Sequence, residues 1–143
     1  MRLGRNAKTD LLKQVPLFAG CSRSELQKLA AIADEIDLRD GATLTREGRA
    51  GREFFVLIEG SVEVVQGADK IGELGDGDWF GEIALLTNAP RTATVTATSP
   101  VRVLVITDRA FRQVVEATPS IAVKILERVG QRLAHDAESR PKA

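Results

Sequence analysis

Within the run FGEIALLTNAPRTATV, residues 80–95, Glu82 and Arg91 stand nine positions apart among small, apolar and turn-forming residues. A surface salt bridge does not need so bland a setting, and neither does a plain hydrophobic core. The pattern around Gly81 predicts a strand ending at Trp79-Phe80, a glycine that redirects the chain, and one short helical turn over Glu82–Leu86. Such a turn leaves main-chain N–H groups unpaired at its start, and these attract an anion, above all beside an arginine. Small neighbours keep the backbone accessible. The chemistry expected is therefore a phosphate nest, with Arg91 as the charge-assisted donor. Glu82 would repel a bare phosphate. It fits a ligand that also presents a hydroxyl, which an ionised carboxylate can accept, and a phosphate joined to a sugar hydroxyl suggests a nucleotide.

The other residues that could do chemistry carry duller readings. His135 is the only histidine and sits near the end of a helical segment, so it reads as surface. With one histidine, no metal-dependent catalyst is expected. Asp76 and Asp78 are explained by their turn, since a calcium loop needs a denser set of oxygens. Cys21 is the only cysteine and lies beside a helix start. A helix start can lower a thiol pKa, but a partly buried filler is the preferred reading.

Those residues must be positioned by the rest of a 143-residue chain, a length that suits one domain. Twenty basic and twenty acidic side chains give a formal net charge of zero, which removes the general electrostatic case for nucleic acid. Fourteen of the basic residues are arginines, a residue suited to planar anion contacts. No apolar run reaches the length of a membrane span, and the basic N-terminus lacks the apolar segment of a secretion signal. A cytoplasmic, reducing location is the expectation.

Helical periods flank a block of short strands. The first segment, KTDLLKQVPLF, has Thr9 or Asp10 as its cap and is ended or kinked by Pro16. The second, CSRSELQKLAAIADEI, opens on a Ser22/Glu25 capping box with an apolar stripe of Leu26, Leu29, Ala30 and Ala33. Glycines then separate β-prone runs: 54–58, 61–65, 70–74, Trp79-Phe80, 91–97 and 101–106. Helix returns with Asp108 as cap and Phe111, Val114 and Val115 on its apolar side. A longer helix follows from Pro119, lined by Ile121, Ile125, Val129 and Leu133 with Leu126 beside them. Gly130 weakens that helix, or allows close approach by another helix or a ligand.

The expected fold is mainly β, an asymmetric jelly-roll or β-roll of about eight short strands with N- and C-terminal helices. Helices on both sides of the strands argue against an immunoglobulin-like sandwich, and the lack of βαβ alternation argues against a Rossmann-type domain. One domain is expected over 1–143, with helices at about 10–35, the roll at about 36–107 and the last helices at about 108–137.

On these motifs the sequence resembles the cyclic nucleotide-binding domain family. Residues 80–95 match that family's phosphate-binding cassette throughout, GREFFVLIEGSVEVV and IGELGDGDWFGE are also family-like, and in outline the match covers residues 10–137. The resemblance implies that Glu82 binds the ribose 2′-hydroxyl and Arg91 the exocyclic oxygens of a cyclic phosphate. It implies that the N–H groups of Ala84 and Thr92 complete the cradle, while Gly81 and Ile83 hold the turn. Val64, Ile71 and Leu74 would pack against sugar or base, or serve as ordinary core. The final helix would lie over the pocket, with Arg128, Arg132 or Leu133 against the base. Thr92 does not settle the base, and cyclic AMP is favoured over cyclic GMP.

The function expected is a sensor that binds cyclic AMP, or cyclic GMP, reversibly and passes the signal through its last helices. No cofactor and no catalysis are expected, because neither a metal cluster nor a poised base is visible. The alternatives are a ligand-independent interaction domain of the same fold, or a piece of a larger cyclic-nucleotide-responsive regulator. With the chain ending at Ala143, no helix-turn-helix and no direct DNA reading are expected. A protein partner in trans, or a homodimer through Ile125, Val129 and Leu133, is expected instead.

Overall fold

The computed structural model describes residues 2–138. Helix α1 (Arg5–Lys13), a 3-10 turn at Pro16–Phe18 and α2 (Arg23–Ala31) come first. Eight strands follow: β1 (Asp34–Leu38), β2 (Thr43–Thr45), β3 (Glu53–Glu59), β4 (Val62–Gln66), β5 (Asp69–Leu74), β6 (Trp79–Phe80), β7 (Thr94–Ala97) and β8 (Val101–Thr107). A second 3-10 turn, Glu82–Leu85, separates β6 from β7, and α3 (Asp108–Ala117) and α4 (Pro119–Glu138) close the described chain. The strands form two four-stranded antiparallel sheets, ordered β1-β8-β3-β6 and β2-β7-β4-β5. This is the expected eight-stranded roll between helices.

The alternation of β3 and β8 explains how one roll serves two cores. Phe55 and Leu57 on β3, with Val101, Val103 and Val105 on β8, face Val62, Val95 and Ala97 of the other sheet. The intervening Phe54, Val56, Leu104 and Ile106 face outward onto the helices, against Leu12, Phe18, Leu26, Leu29, Phe111, Ile121 and Ile125. Both faces of these strands are therefore buried, which is why β3 reads as a continuous apolar run instead of an alternating one. Phe18 meets Phe54 edge-on at 5.9 Å between ring centroids, joining the first 3-10 turn to the roll.

Four boundaries depart from the sequence reading. Helix α1 begins at Arg5, with Gly4 as its uncapped N-terminus; Thr9 lies inside it and donates its hydroxyl to the Arg5 carbonyl at 2.8 Å. Asp10 instead meets Arg23 at 3.2 Å. The capping box of Ser22 and Glu25 is present, but α2 stops at Ala31, and Asp34–Leu38 becomes an edge strand on β8. Helix α3 is capped by Thr107, whose hydroxyl accepts the Ala110 N–H at 3.1 Å, one residue before the expected Asp108. Strand β7 starts only at Thr94, which leaves Arg91 on the approach to it.

Helix α4 is apolar at its base and open towards its end. Ile121 and Ile125 are buried and Val129 half-buried, yet Leu133 is 64% and Leu126 69% exposed. The expected stripe thus covers the core only over its first turns. A Cβ placed on Gly130 would meet nothing within 4 Å, so no close approach among the described residues explains that glycine.

Candidate functional site

Gly81 is fixed by two independent demands. Its φ of +84° lies in the left-handed region, and a Cβ there would fall 2.5 Å from Arg91 Nη1 and 3.0 Å from the Glu53 carbonyl oxygen. Behind it, Phe80 stacks on Phe55 at 4.9 Å and ties the strand end to the roll. The turn that follows is closed by Ala84 N–H donating to the Gly81 carbonyl at 3.1 Å, and by Leu86 and Thr87 N–H groups donating to Ile83 at 3.0 Å each. Ala84 and Leu85 are buried and anchor the turn, while Ile83 is 54% exposed.

Arg91 is held by main chain and side chain together. Its N–H donates to Arg49 and its carbonyl accepts from Gly48, both at 2.8 Å, with Ala50 bridged to Pro90. Its Nη2 donates to the Glu53 carbonyl at 2.5 Å, the guanidinium's one hydrogen-bond acceptor among the described residues. Burial lowers the guanidinium pKa from its ordinary value, with the nearby Glu53 carboxylate acting in the opposite direction. A half-buried cation bonded only to a neutral carbonyl is well suited to an added anion. Arg91 borders a cavity of about 380 Å³ with Thr43, Thr45, Arg46, Arg49 and Glu53. The Thr45 hydroxyl is engaged there, donating to the Ala93 carbonyl at 3.0 Å.

Glu82 opens elsewhere. It borders a groove of about 980 Å³ between the second 3-10 turn and α4, with Trp79, Ile83, Leu86, Val129 and Leu133. Arg128 and Arg132 of α4 share that groove. The acid and the base of the opening motif therefore line different cavities, and Arg91 lies against the backbone of Gly81, the residue before Glu82.

The remaining candidates scatter along the second sheet. Thr92 is exposed, its carbonyl accepting from Gln66 Nε2 at 3.2 Å. Val64 and Leu74 are half-buried against the inner core, opposite Gly72 and Val62 respectively. Ile71 falls at the bulge between the Val64–Gly72 and Val65–Lys70 pairs and is 56% exposed. Sequence reasoning missed Gly51, Glu53, Arg46 and Arg49, the neighbours of Arg91; the signal available was the glycine- and arginine-rich run REGRAGRE just before β3.

Residues 35–118 match the family model described as Cyclic nucleotide-binding domain, which is more than half of the chain. The chain belongs to the cyclic nucleotide-binding domain family. It is 41% identical over 112 residues to a cAMP-dependent protein kinase regulatory subunit of Mycosarcoma maydis, covering 70% of this chain and 21% of that protein. A protein of the same description from Colletotrichum orbiculare is 33% identical over 111 residues, with 76% and 28% covered. This domain thus spans only about a quarter of the length of those relatives. Among solved structures, the N-terminal domain of a transcriptional regulator from Streptomyces coelicolor A3(2) superposes with a TM-score of 0.85 at 28% identity, over 94% of this chain and 99% of that one.

Cys21 is half-buried, the partly buried filler expected of it and not an activated thiol. Burial, and then the Glu25 carboxylate, push its pKa up to about 11, with Lys124 opposing. His135 is exposed, as expected, on the rim of the Glu82 groove. Among the described residues, no three His, Cys, Asp or Glu side chains are grouped to hold a metal ion, and no helix is long and apolar enough to cross a membrane.

Proposed function

We propose that this domain binds a cyclic nucleotide reversibly, cyclic AMP in preference to cyclic GMP, and acts as a regulatory sensor without turnover. The observation that carries the reading is the state of Arg91: a half-buried guanidinium, hydrogen-bonded among the described residues only to a neutral carbonyl, at the edge of a cavity within a complete cassette. In this reading Arg91 takes the exocyclic phosphate oxygens, Glu82 the ribose 2′-hydroxyl, and the N–H groups of Ala84 and Thr92 the remaining phosphate contacts, the Ala84 N–H exchanging its bond to the Gly81 carbonyl for the ligand. Gly81 and Ile83 hold the turn, and Val64, Ile71 and Leu74 offer apolar surface to sugar or base.

Glu82 and Arg91 border separate cavities, and in this reading the Gly81–Leu86 segment shifts as one ligand engages both. That segment already shares its outer groove with Val129, Arg132 and Leu133 of α4, so the shift would pass to α4 directly. A ligand drives such a change only by its unequal affinity for the two arrangements. The output is read by a protein partner in trans or by a second copy, in the cytoplasm.

Calorimetric titration with cyclic AMP and cyclic GMP, repeated on Arg91→Ala, tests the proposal. The wild type should bind, cyclic AMP more tightly, and the variant should lose about 2–5 kcal/mol, the scale for truncating a buried charge-assisted contact. Heat-silent titrations of the wild type, or AMP formed in proportion to protein, would overturn it.

A further inference from the structure

The Arg91 guanidinium lies in a slot walled by two glycines and a carbonyl. A Cβ on Gly51 would fall 2.9 Å from Arg91 Nε, 3.0 Å from Cδ and 3.1 Å from Cζ, and one on Gly81 would fall 2.5 Å from Nη1. The Glu53 carbonyl closes the slot by accepting from Nη2. Carbon atoms do not tolerate such approaches, so the side chain keeps its place only while both positions lack a Cβ.

The two glycines are not equivalent. Gly81 has a left-handed backbone, so any side chain there strains the chain whatever Arg91 does. Gly51 lies outside that region, and its own backbone accepts alanine. Every atom that a Gly51 Cβ would meet within 4 Å among its three nearest belongs to Arg91. A methyl added at position 51 therefore meets the arginine first.

The loop that carries Gly51 is also strapped to the arginine's own main chain. Arg49 accepts the Arg91 N–H, Gly48 donates to the Arg91 carbonyl, and Ala50 bridges Pro90. The loop and the arginine are thus joined through both main chain and side chain, and both border the 380 Å³ cavity.

Resting on the cyclic-nucleotide reading, we propose that Gly51 is a positioning residue for phosphate recognition. Its missing side chain fixes the plane and depth of the Arg91 fork, and so sets how well that fork meets the ligand's phosphate oxygens. A planar, two-pronged donor loses more than a point charge does when it is tilted or displaced.

Cyclic AMP binding by the wild type, Gly51→Ala, Arg91→Lys and the double variant tests this, together with the Arg91 Nε–Hε NMR signal of the ligand-free proteins. Gly51→Ala is expected to weaken binding by about tenfold to a hundredfold, the scale of an ångström-level misplacement. In the Arg91→Lys background, which has no planar group to misplace, the same change should cost less than about threefold. The Nε–Hε signal should move in Gly51→Ala while the amide signals of α2 and β8 stay in place. An equal loss in both backgrounds, unchanged or tighter binding by Gly51→Ala, or a collapse of its whole spectrum would overturn the positioning role. If the wild type binds no cyclic nucleotide, the functional reading falls on its own; an Nε–Hε signal unmoved in Gly51→Ala would then remove the slot as well.

Discussion

The Ser120 hydroxyl donates to the Glu25 carboxylate at 2.5 Å, across 95 positions of chain. The same carboxylate accepts the Ser22 N–H at 2.7 Å and faces Lys124 Nζ at 3.5 Å. One buried acid therefore starts α2 and secures the first turns of α4. Lys28 adds a second tie, donating to the Thr118 hydroxyl at 3.1 Å. Helix α4 is fixed at its base, so any movement it makes over the cassette must be a movement of its distal turns.

Glu25 also gives the fold a defined acid limb. Hydrogen bonds from Ser120 and from the Ser22 N–H hold its pKa down to about 2 from an ordinary 4.5, against the opposing effect of burial. A folded pKa below the unfolded one means that stability is fully present above about pH 4.5 and is lost as pH falls from there towards 2. Glu25→Gln is expected to cost about 2 kcal/mol at neutral pH, the range for hydrogen bonds to a charged group. Thermal melts of both proteins through that window should converge as pH falls; parallel acid limbs would refute the assignment.

The two ends of α4 should respond oppositely to substitution. Ile121 is fully buried, and Ile121→Ala is expected to destabilise by about 2–5 kcal/mol through the cavity it leaves. Leu133→Ala, at a largely exposed position, should cost almost nothing. Gly130→Ala should stabilise by about 0.5–1 kcal/mol, because the added methyl meets no neighbour and the helix loses a flexible residue. Urea unfolding of the three variants measures this, and a loss of stability in Gly130→Ala would refute the open surroundings of that position.

What the sequence made legible was local. The Ser22/Glu25 box and the short turn after Gly81 are short-range patterns, and both appear at the predicted positions. Strand β1 was hidden because Asp34, Glu35 and Asp37 make it look like the polar end of a helix. Its buried acid, Glu35, is satisfied by the Leu3 N–H at 2.7 Å, by Arg2 and by Arg102, none of them near in sequence. Thr107 and Asp108 are both competent caps, and only the geometry at the end of β8 selects the first. The Gly51–Arg91 contact joins residues 40 positions apart, through a loop whose composition says glycine-rich but not what the glycines adjoin. The division of Glu82 and Arg91 between two cavities is likewise a product of topology that nine residues of sequence do not encode.

Cys21 should be a slow thiol. With its pKa pushed up to about 11 by burial and by Glu25, little thiolate exists near neutrality. Reaction with an aromatic disulfide reagent at about pH 8 should run well below the rate of the urea-unfolded chain, whose cysteine returns to an ordinary pKa. Glu25→Gln should accelerate it by removing the nearby negative charge. Equal rates in folded and unfolded protein would show that neither burial nor the carboxylate governs this sulfur.

Glu82 supplies the sharpest test of how the ligand is gripped. If its carboxylate accepts the ribose 2′-hydroxyl, then the 2′-deoxy analogue of cyclic AMP should bind the wild type about 1.5–3 kcal/mol more weakly, the range for a hydrogen bond to a charged group. Glu82→Ala should weaken cyclic AMP by a similar amount and leave the 2′-deoxy analogue nearly unaffected, so that the variant no longer tells the two apart. Arg91→Ala makes the control, since it should weaken both ligands together while preserving the preference between them. Competition titrations of both ligands on the three proteins give the full cycle. A preference for the ribose that survives in Glu82→Ala would mean that Glu82 braces the turn and that another group holds the sugar.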